Sequence, residues 1–265
     1  MTHRQQIYRI VGVIHLPALP GSPLGPAASE LPRLIDRARR DAATWAEGGA
    51  NALVIENFHD VPFAKEHVGP ETIAAMTLAV AAIIAESGLP AGVNVLRNDV
   101  LGAVGIAAAT GAAFVRANVY VGAAITDQGL IEGRADAVQA LIRRLGAPIA
   151  VWADVDVKHA APLAPRPLGE LAEDAVKRGL ARALIVTGPG TGQPANPDDL
   201  RAVRAGVPDV PLYVGSGASP ATLPGLLTIA DGAIIGTAAK QDGLVINPVD
   251  PARVRALVAA AATVR

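Results

Sequence analysis

The segment Gly49-Ala50-Asn51-Ala52-Leu53-Val54-Ile55-Glu56-Asn57 sets the reading of the whole chain. A glycine leads into a short apolar run, and the run ends on a carboxylate and an amide. Related runs return at Gly111-Ala112-Ala113-Phe114-Val115, at Gly179 to Val186 and at Asp231-Gly232-Ala233-Ile234-Ile235. The small leading residue lets a helix end turn tightly into a buried strand. Between such runs the apolar residues change to helical spacing. Leu31, Leu34, Ile35, Ala38, Ala42 and Trp45 share one face after Ser29, and Gly48-Gly49 ends the run. Pro70 opens the next helix, Ile73, Met76, Val80, Ile83 and Ile84 form its apolar face, and Gly88 stops it. Strands are predicted near 8–15, 50–56, 91–96, 112–118, 148–154, 182–187, 210–215 and 231–236. Eight parallel strands alternating with helices close a barrel, and 265 residues suit one. The predicted fold is therefore α/β, a (β/α)8 TIM barrel forming one domain over residues 1–265. An open doubly wound sheet is the alternative, and it would need fewer strands and a reversal of strand order.

Composition narrows the class of function. Apolar residues make up 51% and charged ones 18%, with a net charge of −1 and no basic block, so nucleic acid is not an expected partner. No cysteine is present, which removes disulfides, thiolate metal sites and thiol catalysis. Met1 to Arg9 lacks the apolar core of a secretory signal, and Val100 to Val115 is too short for a membrane span. The expectation is a cytoplasmic protein without a transmembrane segment. Self-association into a homo-oligomer stays open.

Polar side chains at the C-terminal ends of barrel strands carry the chemistry of this fold, and here they gather there repeatedly. The first strand ends at His15, the second at Glu56-Asn57, and the third at Asn94, followed by Arg97-Asn98-Asp99. The fourth gives Arg116, Asn118 and Tyr120 in alternation, and the fifth gives Asp154-Val155-Asp156-Val157-Lys158-His159. The period of two places Asp154, Asp156 and Lys158 on one side, with both valines towards the helices. A structural ion-pair network is the bland explanation of that cluster. His59 and His67 read as surface residues, and Trp152 as core. After the seventh and eighth strands, Val214-Gly215-Ser216-Gly217-Ala218-Ser219, followed by a helix opening at Pro220, and Ile235-Gly236-Thr237 can cradle a phosphate. Thr187 and Gly188 begin a glycine-rich loop, Thr187 to Pro194, that reads as a nest, a lid or a plain turn. No Walker A ending and no other nucleotide-cofactor motif occurs.

These segments in order resemble the BtpA family, which includes SgcQ-like barrels. The resemblance is carried by Gly12-Val13-Ile14-His15-Leu16-Pro17-Ala18-Leu19-Pro20-Gly21, by Glu56-Asn57-Phe58-His59-Asp60-Val61-Pro62-Phe63 and by Asn94-Val95-Leu96-Arg97-Asn98-Asp99. Phe114 to Tyr120, Thr126 to Gly133, Asp154 to Ala160 and the two glycine-bearing strand ends complete it. His59 stands where the family usually has a small residue, and Ala117 where it has a larger apolar one. The resemblance implies a fold similar to the ribulose-phosphate-binding barrels. The family is named for a cyanobacterial factor needed for photosystem I accumulation, and its other members are often described as sugar or nucleoside enzymes.

The expected function is an enzyme acting on a small phosphorylated metabolite, a sugar phosphate or nucleotide-like compound, by acid–base chemistry of the lyase, isomerase or hydrolase type. Asp154, Asp156, Lys158 and Glu56 are the candidate catalytic residues. His15, Asn57, Asn94, Arg116, Asn118, Thr187 and Gly188 are candidates for substrate binding, and Gly215, Ser216, Gly217, Gly236 and Thr237 for phosphate. A divalent metal on Glu56, Asp154 and Asp156, with His15 as an added ligand, is a minority option. The rival is a BtpA-like assembly or stability factor without catalysis.

Overall fold

Eight short apolar segments extend, pair in parallel and close on one another. The computed structural model describes residues 6–155, 157, 159–188, 190 and 192–264; Asp156 and Lys158 lie outside them. The barrel strands are β1 (Ile10–His15), β2 (Ala52–Glu56), β3 (Ala91–Asn94), β4 (Phe114–Ala117), β7 (Ala150–Val155), β9 (Ala183–Val186), β10 (Leu212–Val214) and β11 (Gly232–Ile235). They are ordered β1-β2-β3-β4-β7-β9-β10-β11 and β11 closes back onto β1, every pair parallel. Each predicted strand overlaps one of these.

The outer layer contains α1 (Leu31–Glu47), α2 (Pro70–Ser87), α3 (Val100–Thr110), α4 (Ala135–Leu145), α5 (Leu168–Glu173), α6 (Pro197–Gly206), α7 (Leu223–Leu226) and α8 (Pro251–Ala262). Local chemistry sets their ends. Asp99 accepts from the Gly102 N–H at 2.9 Å to start α3, and Asp250 accepts from the Ala252 N–H at 2.7 Å to start α8. Gly88 and Gly111 close α2 and α3 in the left-handed conformation. Among the described residues, α2 alone is long and apolar enough to cross a membrane by length and composition. Its Met76, Val80 and Ile83 are instead fully buried in the core between helices and strands.

The barrel's interior is plugged at its base by aromatic rings. Trp152 stacks on Phe114 with centroids 3.8 Å apart and on Tyr213 at 4.3 Å. Gly92 makes this plug fit, because a Cβ there would overlap the Phe114 ring. With the base filled by rings, polar groups are left to the mouth, where the strands end.

Two features depart from expectation. A three-stranded antiparallel sheet stands beside the mouth, built from the hairpin β5 (Ala123–Thr126) and β6 (Gly129–Glu132) with β8 (Ala160–Pro162) on the other side of β5. Val157 packs beneath it with Val119 and Ile131 and does not face the barrel helices, whereas Val155 does join the helix-side core. The second departure follows β10. The helix expected at Pro220 is late and short: residues 220–222 form a turn that leads into the four-residue α7 at Leu223. The Ser219 N–H donates to the Thr222 hydroxyl at 3.0 Å and the Thr222 N–H to the Ser219 hydroxyl at 3.3 Å. This reciprocal pair caps a helix start, and the Leu223 N–H donates to the Ser219 carbonyl at 2.9 Å, but Pro224 has no N–H to continue the ladder.

Candidate functional site

The registers of β1, β2 and β3 set His15 beside Glu56 and Glu56 beside Asn94. One row of polar side chains therefore crosses three strand ends. The Asn94 amide donates to Glu56 Oε1 at 3.0 Å. Arg116, on the inward side of β4, reaches the same Glu56 oxygen at 3.1 Å and forks onto Asp154 of β7, Nε to Oδ1 and Nη2 to Oδ2, both 3.1 Å. Asn118 donates to Asp154 Oδ2 at 2.7 Å. All five side chains are buried. Burial alone would favour the neutral form of Arg116, yet Asp154 and Glu56 outweigh it and hold its pKa above the ordinary arginine value. A paired fork of this kind satisfies charges that would otherwise be costly to bury.

Arg97, also buried, enters the same field. Desolvation pushes its pKa down, Asp154, Asp127 and Glu56 oppose that shift, and Arg116 reinforces it. It was absent from the candidate residues. The signal was a cation directly following a buried strand, Asn94-Val95-Leu96-Arg97.

A cavity of about 190 Å3 opens beside this network. His15, Glu56 and Arg116 line one side, and the turns Gly215–Ser219 after β10 and Gly236–Ala238 after β11 line the other. Glycine is required at two of these positions. At Gly236 a Cβ would press on the His15 ring, and at Gly217, where φ is +70°, it would overlap the backbone of Gln193 and Pro194. With only the four-residue α7 behind it, the turn after β10 offers an anion loop N–H groups more than a helix dipole. Ser216 lines the cavity, but its hydroxyl accepts from the Gly188 N–H at 2.8 Å and donates to the Gln193 carbonyl at 3.0 Å. Those bonds pin the loop after β9 onto the loop after β10. Thr187 and Gly188 thus underlie the cradle and do not line the cavity.

The structure thus brings His15, Glu56, Asn94, Arg116, Asn118 and Asp154 together, opposite Gly215, Ser216, Gly217, Gly236 and Thr237. Asn57 does not join them. Its Oδ1 accepts from the Leu96 N–H at 2.7 Å, and its Nδ2 serves Asp60 at 3.1 Å and the Leu96 carbonyl. It clamps two strand-end loops together. Asp156 and Lys158 lie outside the described residues. Among the described residues no cluster of three or more His, Asp or Glu could hold a metal ion. The Arg116 guanidinium is bonded to both Glu56 and Asp154, so a divalent ion on that pair would have to displace it. His59 is half-buried, and His67 is exposed, 3.3 Å from Asp99. A larger cavity of about 310 Å3 lies outside the mouth, near His67, Asp99 and Leu130. Asp99 is already engaged there by the N–H groups of Val68 and Gly102.

Solved structures with this architecture have low sequence identity. Geranylgeranylglyceryl phosphate synthase from Thermoplasma acidophilum aligns with a TM-score of 0.62 at 16% identity, covering 97% of this chain and 94% of that one. Orotidine 5'-phosphate decarboxylase from Pyrococcus horikoshii aligns at 0.59 and 14%, covering 96% and 98%. These likenesses concern the fold. In sequence, the chain is 40% identical over 253 residues to the photosystem I biogenesis protein BtpA of Synechocystis, covering 96% of this chain and 88% of that protein. It is 44% identical over 259 residues to an uncharacterised protein of Thermococcus kodakarensis, covering 97% and 96%. Residues 7–263 match the BtpA family, and the chain belongs to that family.

Proposed function

We propose that this protein is an enzyme that binds a small phosphorylated metabolite, a sugar phosphate or nucleotide-like compound, at the C-terminal mouth of its barrel. One observation carries the reading. A single 190 Å3 cavity has loop backbone from Gly215–Ser219 and Gly236–Ala238 on one side and His15, Glu56 and Arg116 on the other. Backbone N–H groups from those turns hold the phosphate. The Arg116 guanidinium adds positive charge, and His15 faces the Gly236 turn. The fold neighbours named above are a geranylgeranylglyceryl phosphate synthase in complex with sn-glycerol-1-phosphate and an orotidine 5'-phosphate decarboxylase, which supports the same reading.

Asp154 is held by the Arg116 fork and by Asn118, so its role is electrostatic. Proton transfer is assigned to Asp156 and Lys158, which follow β7 in the sequence, with Glu56 completing the set. Lys158→Ala should abolish turnover while leaving ligand binding and fold intact. The test is a thermal-shift screen of phosphorylated metabolites, backed by mass spectrometry of ligand carried through native purification. A ligand at about 100 times its Kd should stabilise the fold by about 2.7 kcal/mol. Gly217→Ala should remove that gain. If no phosphorylated compound stabilises the protein, the reading fails and the non-catalytic assembly role, suggested by the name of the Synechocystis relative, takes its place.

A further inference from the structure

We infer that a second copy of this chain docks on the outer face of α2 and α3, about a two-fold axis running along and between these helices, with Leu78 of each copy seated over Gly105 of the other. The inference stands apart from the phosphate site.

Helices on the outside of a barrel meet water and carry charge on that side. α1, α4, α5, α6 and α8 do so, with exposed residues such as Arg33, Asp136, Glu170, Arg201 and Arg255. Between Glu71 and Glu86 of α2, and throughout α3, there is no charged residue. Ala74, Leu78, Ala81 and Ala85 are exposed along α2, and Gly105 and Ala109 along α3. Leu78 is 56% exposed. The two helices adjoin closely, because a Cβ on Gly102 would overlap the end of the Ile73 side chain. One apolar face therefore spans both. Gly105 is the residue that asks for a neighbour. It lies inside α3, where glycine is a poor helix former and alanine the best. Among the described residues nothing comes within 4 Å of a Cβ built on it, and its φ is not left-handed. Gly88, Gly111 and Gly146 also face open space, but each takes a positive φ to end a helix. A helical glycine with room for a side chain and no backbone need marks a hollow kept for another molecule.

The face fits itself. Gly102 meets Ile73, so Gly105, three residues on, and Leu78, five residues on, lie within about 3 Å of one level along the helices. Leu78 is a knob, and Gly105 is a hollow on the adjoining helix. A two-fold axis between the two helices sets each knob over the other copy's hollow, the isologous contact of a C2 dimer. The rim charges match under the same axis, which brings the α1 side of one copy to α4 of the other. Glu86, bonded to Arg39 of α1, then faces Arg143 and Arg144 in the last turn of the other copy's α4. Small residues let helix axes approach closely. A lipid surface would be met instead by bulky apolar residues rimmed with Lys and Arg, and a charged partner would find no charge on this face to read. Helices about 27 and 16 Å long and about 10 Å wide give about 400 Å2 per copy, the size of a reversible dimer.

The test is sedimentation velocity of the full chain over a concentration series reaching about 100 μM, where an interface of this size associates. The parent should pass from the mass of one chain to that of two. Gly105→Leu, which in a single copy only exchanges a poor helix former for a good one, should weaken association about tenfold or more. Leu78→Glu should do the same, and both variants should keep the parent's circular dichroism. Leu24→Glu, at a leucine 68% exposed elsewhere on the surface, should associate like the parent. A chain that stays single throughout the series overturns the inference. So does a dimer that survives both face variants, or one that Leu24→Glu dissociates as well. A single chain that floats with phosphatidylcholine vesicles, and loses them on Leu78→Glu, would give the face to lipid and overturn it too.

Discussion

Replacing Arg116 by methionine tests whether the mouth is held together by its buried charges. Arg116 is 4% exposed, and its three bonds to Glu56 and Asp154 all measure 3.1 Å. Methionine keeps much of the side-chain length and removes the cation, leaving two carboxylates buried without the guanidinium that neutralises them. Breaking a buried pair in this way costs about 3–5 kcal/mol. Chains of this size lose roughly 2–4 °C of Tm per kcal/mol, so the melting temperature should fall by about 6–20 °C. The triple variant Arg116→Met, Glu56→Gln, Asp154→Asn removes charge from both sides and should recover more than half of the loss. Urea unfolding at neutral pH, with scanning calorimetry as a check, measures both. A single variant within about 1 kcal/mol of the parent, or a triple variant no better than the single one, would refute the reasoning.

Three further outcomes are expected. Gly92→Ala places a methyl against the Phe114 ring in the plugged base and should destabilise the fold by about 1–3 kcal/mol, read by urea midpoint; an unchanged midpoint would mean the plug gives way freely. Lys240 is 1% exposed and bonds Asp41 at 2.7 Å, so Lys240→Met should cost about 3–5 kcal/mol, and adding Asp41→Leu should restore most of it. Burial, then Arg37 and Lys240, hold the His59 pKa below its ordinary value. The unfolded chain therefore takes up the proton first. The stability His59 contributes is present above the unfolded pKa of about 6.5 and is lost as pH falls. His59→Gln should flatten the rise of Tm with pH between about pH 5 and 7, and an identical slope would contradict the burial argument.

The barrel was legible because its signals are local and repeated. A strand such as Ala52–Glu56 is apolar along its length and ends on a polar residue, and glycines such as Gly88 and Gly111 mark where helices stop. The strand-end network was legible residue by residue, through the polar positions His15, Glu56, Asn94, Arg116, Asn118 and Asp154. Its wiring was not, since the Arg116 bonds to Glu56 and Asp154 span 60 and 38 residues. Asn57 shows the limit of position alone: one residue past Glu56, its amide turns to the Leu96 backbone instead of the mouth. The small sheet is faint in the sequence because β8 is Ala-Ala-Pro and β5 has only Ile125 and Thr126 after a pair of alanines. The turn Thr126-Asp127-Gln128-Gly129, with Gly129 at φ +92°, was the available hairpin signal. The helix expected at Pro220 is capped by Ser219 and Thr222 but interrupted at once, because Pro224 has no N–H to give the Pro220 carbonyl, so α7 begins at Leu223.

The most direct test of the anion site is a crystal structure grown with a sugar phosphate at saturating concentration. The account predicts a phosphate seated between the Gly215–Ser219 and Gly236–Ala238 turns, within hydrogen-bond reach of their N–H groups, with the sugar directed towards Arg116 and Glu56. A phosphate bound elsewhere on the molecule, with this cavity left to solvent, would contradict it.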